Sequence, residues 1–160
     1  MEPVWNHFDP GGNAVMVDVS AKAATARTAV AEGTITVSRP VLEAIAGRTA
    51  AKGDVLGVAR VAGIMAAKRT SEWIPLCHPL TLSHLSVDFT LLEEQCAVQA
   101  RCTARTTGQT GVEMEALTGV SAALLTIYDM CKAMDRSMEL SGIRLVYKDG
   151  GKTGVFQRED

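Results

Sequence analysis

The most regular hydrophobic pattern in this chain lies in its last third. Apolar residues recur there at alternating spacings of three and four, which is the period of one face of an α-helix. The stripe consists of Leu117, Val120, Leu124, Ile127, Cys131, Met134 and Met138. Gly142 follows the stripe, and a glycine directly after a periodic segment commonly ends a helix. The pattern therefore predicts one long helix that Gly142 closes.

Two further helices are predicted in the first half of the chain. The first begins at Ser38, with Pro40 just inside it, and Gly47 ends its apolar face. The second runs over residues 54–72, with Asp54 as its candidate N-cap. It is apolar nearly all round, and such a helix is buried on more than one side. We expect it to pack against its own sheet, with another subunit as a candidate cover for its second side.

Three regions carry the residue types and the two-residue period of β-strands. Residues 15–38 alternate at first and are β-branched near their end. Residues 85–90 and 97–106 alternate on either side of a short polar link, which predicts an antiparallel hairpin. Residues 143–147 and 153–157 flank a glycine turn and form the last strand region. This order of elements predicts an α+β fold, a mostly antiparallel sheet with helices packed on one face.

Length and composition restrict the class of protein. A chain of 160 residues, 47% hydrophobic and 21% charged, fits one globular domain. We expect that domain to span residues 15–160, after a flexible leader of residues 1–14 that holds a Pro-Gly-Gly turn cluster. A net charge of −2 and only 4% aromatic residues argue against nucleic acid as a partner.

The cellular location is predicted from two further features. The N-terminus lacks a basic region followed by an apolar one, so no secretory signal is expected. No run of about 18 apolar residues occurs, so no membrane span is expected either. The four cysteines, Cys77, Cys96, Cys102 and Cys131, form no CxxC pair. We therefore expect reduced thiols in a cytoplasmic protein.

The long helix carries a charged pair on the side away from its apolar stripe. Asp129 and Lys132 are three residues apart, so they share one helix face. A surface salt bridge is the ordinary explanation of such a pair. However, the same face holds Ser121, Ala122 and Leu125, which a fully solvated face would not favour. The alternative is a partly buried acid–amine pair that is able to transfer a proton.

Other candidate groups lie in loops and near helix ends. Glu113 and Glu115 precede the long helix, where they either interact with its dipole or accept hydrogen bonds from a ligand. In the loop between Pro75 and Pro79, His78 is a candidate general acid or base. Zinc is not expected there, because adjacent Cys77 and His78 have poor ligand spacing. Taken singly, the isolated cations are more often solvated surface. They are Lys52, Lys68, Arg69, Lys148 and Lys152.

Together and in order, these segments resemble the cyclic pyranopterin monophosphate synthase (MoaC) family. The resemblance runs from about His7 to the C-terminus. The matching segments are His7-Phe8-Asp9, Met16-Val17-Asp18-Val19-Ser20, Lys52-Gly53-Asp54-Val55, Ile74-Pro75-Leu76-Cys77-His78-Pro79-Leu80, Gly111-Val112-Glu113-Met114-Glu115-Ala116-Leu117-Thr118, Tyr128-Asp129-Met130-Cys131-Lys132-Ala133 and Lys148-Asp149-Gly150-Gly151-Lys152-Thr153-Gly154.

The resemblance implies a reaction and an assembly. Members of the family convert (8S)-3′,8-cyclo-7,8-dihydroguanosine 5′-triphosphate, made from GTP by a radical SAM cyclase, into cyclic pyranopterin monophosphate and pyrophosphate. This is a lyase reaction of molybdenum cofactor biosynthesis. The implied fold is ferredoxin-like, and the implied assembly is a homohexamer, a trimer of dimers with active sites at the dimer interfaces. No cofactor is expected, and Mg²⁺ beside the triphosphate is left open.

The resemblance also implies roles for individual residues. The expected catalytic residues, acting by general acid–base catalysis, are Asp129, Lys132, Lys52 and His78. The expected substrate-binding residues are Leu76, Cys77, His78, Glu113, Met114, Glu115, Arg27, Lys68, Lys148 and Lys152. The cations suit a triphosphate, and the glutamates suit the N–H edge of a guanine-derived ring. Two other classes stay open: a non-catalytic carrier of a pterin or nucleotide, and a zinc-dependent nucleotide hydrolase that uses Cys77, His78 and His84.

Overall fold

The computed structural model of the protein describes residues 6–159, which form five strands and four helices. In chain order these are β1 (Thr25–Thr36), α1 (Arg39–Ala46), α2 (Val55–Ala67), α3 (Thr70–Trp73), β2 (His84–Leu92), β3 (Ala97–Gly108), α4 (Glu113–Cys131), β4 (Glu139–Asp149) and β5 (Phe156–Gln157). The predicted α+β class is confirmed, and so is the hairpin of β2 and β3.

The strands form one antiparallel sheet in the order β2-β3-β1-β4-β5. Because β1 and β2 both pair antiparallel with β3, they run in the same direction, and α1 to α3 connect them. α4 makes the equivalent connection from β3 to β4, around β1. This connectivity is compatible with the ferredoxin-like arrangement that the resemblance implied.

The core lies between the middle of the sheet and α4. Val120, Leu124 and Ile127 of the predicted helical stripe are fully buried, and α4 packs against β1, β3 and β4. A Cβ atom at Gly33 of β1 would lie 2.9 Å from the side chains of Val120 and Ile143. The helix therefore runs so close to the central strand that only glycine fits at this position.

The helices α2 and α4 pack against each other through small residues. A Cβ atom at Gly63 of α2 would lie 2.8 Å from the carbonyl oxygen of Gly119 in α4. The helices run antiparallel, because Lys52, just before α2, reaches the carbonyl oxygen of Asp129 at 3.1 Å near the end of α4. This close contact fixes the positions of both ends of α4 relative to α2.

The helix starts follow the predicted signals. Asp54 is the N-cap of α2, and its carboxylate accepts a hydrogen bond from the Gly57 N–H at 3.0 Å. Ser38 is the N-cap of α1, Pro40 lies in its first turn, and Gly47 follows its last residue. These short-range signals depend only on neighbouring residues, so they could be read from the sequence.

The long helix ends earlier than predicted. α4 stops at Cys131, so the last two positions of the apolar stripe lie beyond it. The Asp135 carboxylate accepts hydrogen bonds from the backbone N–H groups of Ser38 and Ser137. Such bonds to a side chain compete with continued helix formation. The prediction that Gly142 closes this helix was therefore wrong, and Gly142 lies inside β4.

The strand predicted from Val15 was wrong over its first ten residues, because β1 begins only at Thr25. The alternation itself is present, since Val17 and Val19 are half-buried whereas the intervening side chains are exposed. However, both valines face a loop that contains His78 and not a neighbouring strand. A two-residue period records one buried side, and it does not identify what covers that side.

The second predicted helix is shorter and less covered than expected. It ends at Ala67, and α3 is a separate short helix. Val58, Val61 and Met65 are 47%, 60% and 43% exposed. These residues recur at spacings of three and four, so they form one apolar stripe. Burial on a second side is therefore not achieved within one chain.

The predicted leader falls partly on residues 1–5, which lie outside the described residues. In the described part, the Asn13 N–H bonds to the Asp9 carboxylate, and Phe8 pairs with Ala14 in an isolated bridge. The domain boundary at residue 15 stays a prediction.

Across residues 6–159, no helix has the length and apolar character needed to cross a membrane.

Candidate functional site

A cleft of about 250 Å³ opens where the N-terminus of α4 meets the loop before β2. We call it the loop cleft. Its lining includes Leu76, Cys77, His78, Glu113, Met114 and Glu115 from the predicted site, together with Asn6, His7, Val17, Val19 and Lys22 from the N-terminal segment. Two segments that are distant in the chain, the loop between the prolines and the start of α4, therefore line the same cavity.

Glu115 is the most buried charged group of the loop cleft, with 4% of its surface exposed. Burial, with a smaller contribution from the negative charge of nearby Glu113, raises the pKa of this carboxyl group to about 7. A carboxyl group with such a pKa is able both to donate and to accept a proton near neutral pH. The position of Glu115 in the first turn of α4 was predicted, but its unusual proton affinity could not be.

The two other functional groups of the loop behave differently. Burial raises the pKa of the Cys77 thiol, and the charge of Glu115 adds to the effect. Cys77 is therefore a protonated thiol at neutral pH and does not resemble an activated nucleophile. The Nε2 atom of His78 lies 2.7 Å from the carbonyl oxygen of Val17, so the imidazole is held by the N-terminal segment.

A second cavity of about 510 Å³ adjoins the first and shares Lys22, Thr110, Gly111 and Glu113 with it. We call it the cation groove. Its lining contains four basic residues, Lys22, Arg27, Lys148 and Lys152. Three of these were predicted to bind substrate, and the structure brings them together from both ends of the chain. A groove with this charge suits an anionic ligand such as a polyphosphate.

An ion pair lies at the junction of the two cavities. The Lys148 ammonium group is 3.0 Å from the Glu113 carboxylate, and both side chains are mostly buried. The same ammonium group donates a hydrogen bond to the Thr153 hydroxyl at 2.9 Å. Glu113 therefore faces a cation, whereas Glu115, two residues later, remains in a poorly solvated position.

Arg27 lies in the cation groove but has backbone partners of its own. Its guanidinium donates hydrogen bonds to the carbonyl oxygens of Gly108 and Gln109 at 2.9 and 3.2 Å. Gly151, with φ of +78°, runs so close that a Cβ atom there would lie 2.3 Å from a guanidinium nitrogen. Arg27 therefore holds the turn at Gly108 and Gln109 by hydrogen bonds and lies against the backbone of Gly151, whose positive φ favours glycine.

The other predicted catalytic residues lie at the opposite end of α4. The Lys132 ammonium group bonds to the Asp129 carboxylate at 2.7 Å, and Lys52 lies 3.8 Å from its other oxygen. The hydrogen bond and charge of Lys132, with the charge of Lys52, lower the pKa of Asp129. Of the two explanations left open for this pair, the surface salt bridge fits the single chain, because the side chains of Asp129 and Lys132 are 62% and 50% exposed.

Within one chain the two sets of residues are far apart. Glu113 and Asp129 lie sixteen residues apart on one helix. At a rise of 1.5 Å per residue, about 24 Å separates them. Asp129, Lys132 and Lys52 therefore cannot reach a small molecule held in the loop cleft of the same chain.

Lys68 is also separate from the two cavities. It lines a third, open groove with Ile64, Leu82 and His84. His84 is thus not beside Cys77 and His78, as the zinc hypothesis required. Across residues 6–159, no cluster of three or more histidine, cysteine or acidic side chains is arranged to hold a metal ion.

Several site residues were missed by sequence reasoning. Lys22 lines both the loop cleft and the cation groove, and its only signal was a positive charge near the start of β1. Gln109 anchors this segment by donating hydrogen bonds to the carbonyl oxygens of Lys22 and Ser20, at 3.1 and 3.4 Å. The Val17 carbonyl oxygen had no signal at all, because every residue carries the same backbone group.

Comparison with known proteins gives a consistent result. The cyclic pyranopterin monophosphate synthase of Trichlorobacter lovleyi is 56% identical over 156 residues, which is 98% of each chain. The enzyme of the same name from Clostridium botulinum is 59% identical over 159 residues, 99% of this chain and all of the other. That of Heliobacterium modesticaldum is 57% identical over the full length of both chains.

The family comparison covers the elements that form both cavities and both ends of α4. Residues 16–151 match the model of the MoaC family. This range contains every predicted site residue except Lys152, which follows directly after it. With the full-length relatives, this match shows that the chain belongs to the MoaC family.

Proposed function

We propose that the protein catalyses the reaction for which these relatives are named, the formation of cyclic pyranopterin monophosphate in molybdenum cofactor biosynthesis. The substrate is (8S)-3′,8-cyclo-7,8-dihydroguanosine 5′-triphosphate, and pyrophosphate is the second product. Support comes from relatives of this name that are 56% identical or more over nearly the whole chain.

The observation that carries the proposal is the junction of two cavities of different character. The loop cleft offers acceptors and a titratable carboxyl group, which suit the N–H-rich ring system of the substrate. The adjoining cation groove offers Lys22, Arg27, Lys148 and Lys152 to a triphosphate. A nucleotide-derived molecule has these two parts in the same order.

The active site is completed by a second copy of the chain. The apolar stripe of Val58, Val61 and Met65 on α2 is uncovered, and Leu125 on α4 is 59% exposed one turn before Asp129. Such surfaces are typical of interfaces. In a two-fold contact across which the two α4 helices run antiparallel, the end of one α4 lies near the start of the other. Such a contact brings Lys52, Asp129 and Lys132 of one protomer to the loop cleft of its partner.

In that arrangement the two ends of α4 have different tasks. Lys132, held by Asp129, transfers a proton to the ring system as it is rearranged, while His78 and Glu115 take or return protons from the other side. The cyclic phosphate forms when a sugar hydroxyl oxygen bonds to the α-phosphorus and the bond to the pyrophosphate leaving group breaks. The cations neutralise the charge of that leaving group.

We also propose an assembly, a cellular location and a source of metal ions. The functional unit is a homohexamer, a trimer of such dimers, in the cytoplasm, and its substrate is supplied by a radical SAM GTP cyclase. The protein needs no cofactor of its own. Any Mg²⁺ enters with the phosphates of the substrate, a common way for this ion to bind.

The reaction is tested with purified protein and the cyclised dihydroguanosine triphosphate. We expect both pyrophosphate and the pterin product to appear, and both to be lost with Lys132→Ala, which leaves the core untouched. Saturable binding without pyrophosphate release would contradict the proposal and would indicate a carrier.

The shared site is tested by mixing two inactive variants, Lys132→Ala and Glu115→Ala, after dissociation and reassembly. Half of the random dimers contain both variants, and each of these has one of its two sites intact, so about a quarter of the normal activity should return. Each variant mixed with itself is the control. Absence of recovery in mixed dimers that have demonstrably formed would contradict a site built from two chains.

A further inference from the structure

One wall of the loop cleft is made by residues 6–24, which we call the N-terminal strap. From residue 15 onward the strap is neither helix nor strand. Its inward side chains, Val17 and Val19, line the cleft, whereas Asp18 and Ser20 point outward and are exposed. The strap meets the opposite wall through the contact of 2.7 Å between the Val17 carbonyl oxygen and His78 Nε2.

The chemistry of this contact determines where the proton of the imidazole lies. A carbonyl oxygen has lone pairs and no hydrogen, so the nitrogen at 2.7 Å must donate. Neutral imidazole carries only one N–H group. With that group at Nε2, the lone pair is on Nδ1, and the backbone of the strap thereby selects one of the two tautomers of His78.

The carbonyl group is itself held in place by local hydrogen bonds. The Asp18 carboxylate accepts from the Ser20 N–H at 2.9 Å, a short turn that begins directly after Val17. The Lys22 N–H then bonds to the Val19 carbonyl oxygen at 2.9 Å. The position of the acceptor is therefore defined on the strap and does not depend on His78 alone.

We propose that the N-terminal strap positions His78, the Val17 carbonyl group keeping a proton on Nε2 so that Nδ1 exchanges a proton with the substrate. The proposal rests on the proposed function, in which His78 contacts the substrate. When Nδ1 accepts a proton, Nε2–H keeps its bond to Val17. When Nδ1 returns the proton, the same tautomer is restored. Val17 is thus a positioning residue that acts through its backbone.

The tautomer is measured by ¹⁵N NMR of protein labelled at histidine, at the alkaline end of a pH series where the imidazole is neutral. Spectra of His7→Gln and His84→Gln identify the signals of His78. We expect the pattern of a protonated Nε2 and an unprotonated Nδ1. A His78 signal with the proton on Nδ1 would overturn the proposal, whether or not the protein is active.

The role of the strap is tested with Asp18→Ala, which removes the turn after Val17 and changes no residue lining the cleft. The matched control is Asp9→Ala, which removes a similar exposed turn to Asn13 elsewhere on the strap. We expect mixed tautomers and a fall in kcat of about tenfold for Asp18→Ala, with neither change in the control. Equal behaviour of the two variants would refute the role of the strap.

His78→Gln separates the two nitrogens, because it places an N–H donor where Nε2 lies but no basic nitrogen where Nδ1 lies. We expect His78→Gln to keep the substrate KM within about threefold while kcat falls about a hundredfold. Normal turnover by His78→Gln would show that Nδ1 takes no part. If the tautomer is as expected but no product forms even in the unaltered protein, the proposed function fails while the positioning of His78 stands.

Discussion

The two ends of α4 carry carboxylate groups in opposite environments. At its N-terminal end, Glu115 is 4% exposed, and burial raises its pKa to about 7. At its C-terminal end, the side chain of Asp129 is 62% exposed, and the hydrogen bond and charge of Lys132 lower its pKa. One helix therefore presents a carboxyl group that tends to hold a proton and another that tends to remain charged beside an amine.

Under the proposed function, neither end is a complete catalytic site. The N-terminal end has the cavities and their cations but a buried acid without a close ammonium partner among its described contacts. The C-terminal end has the acid–amine pair, but it lies on open surface beside exposed Leu125. Each end has what the other lacks, which is the arrangement expected when two copies of the chain share a site.

The largest effect is expected from Asp129→Asn, which removes the charge at the C-terminal end. Lys52 and Lys132 lose their common partner and repel each other, so we expect kcat/KM to fall at least about a hundredfold. The melting temperature should change little, because an exposed ion pair contributes less than about 1 kcal/mol. Asp88→Asn, at an exposed carboxylate of β2, is the matched control. Near-normal turnover by Asp129→Asn would show that the C-terminal end of α4 takes no part in catalysis.

The second test disrupts the surface through which two protomers are proposed to associate. This association brings the C-terminal end of one α4 to the N-terminal end of the other. Val61→Asp places a charge in the uncovered stripe of α2, where Val61 is 60% exposed. Burying that charge in a contact is costly, so we expect at least tenfold weaker assembly and a matching loss of activity on dilution. Sedimentation velocity measures the first effect and the product assay the second.

The control for this test is Val155→Asp, since Val155 is 63% exposed but lies between β4 and β5, away from the helical layer. It should leave both mass and activity unchanged. If Val61→Asp keeps the assembly intact, the apolar stripe of α2 is not the contact that completes the site.

The third test measures how the buried carboxyl group of Glu115 makes the stability of the fold depend on pH. The pKa of Glu115 in the folded chain, about 7, lies above its ordinary value of 4.5, so its protonated form favours folding. This stability is fully present below about pH 4.5 and is lost as the pH rises through 7. Glu115→Gln lacks that loss, so we expect the variant to melt a few degrees above the parent chain at pH 8 and to match it near pH 4.5.

The pH test becomes sharper when it is repeated in the Val61→Asp background. In the proposed assembly the ammonium groups of Lys52 and Lys132 from a partner face the cleft, and we expect their charge to lower the pKa of Glu115. The difference in melting temperature at pH 8 between the parent chain and Glu115→Gln should therefore be larger in the dissociated chain. Glu43→Gln, at an exposed position of α1, is the control. Equal pH profiles in both backgrounds would contradict the approach of partner lysines.

The sequence predicted those parts of the fold that depend on neighbouring residues. The stripe of Val120, Leu124 and Ile127 is buried as expected, and Asp54 caps α2. The predicted end of α4 was wrong because Asp135 accepts hydrogen bonds from nearby Ser137 and from Ser38, a residue distant in the chain. Such a contact exists only once the chain has folded, so no local pattern records it.

The features of the candidate site also differ in whether the sequence could predict them. The residue types and the two segments of the loop cleft could be predicted, because short motifs in the sequence match those of the MoaC family. The raised pKa of Glu115 could not, since it depends on burial by distant residues. The bond from His78 to Val17 could not either, because a backbone acceptor is the same at every position.

The smallest effect is expected from Lys68→Ala. Lys68 lies in an open groove with His84, whereas Lys148 lines the cation groove and pairs with Glu113 at 3.0 Å. Because a partly buried ammonium group interacts more strongly with phosphate than an exposed one, we expect Lys148→Ala to raise the KM about tenfold and Lys68→Ala less than about threefold. Initial rates over a range of substrate concentrations give both values. An equal rise for the two variants would mean that assembly brings the groove of Lys68 into the site, at the same end of the helical layer as the loop cleft.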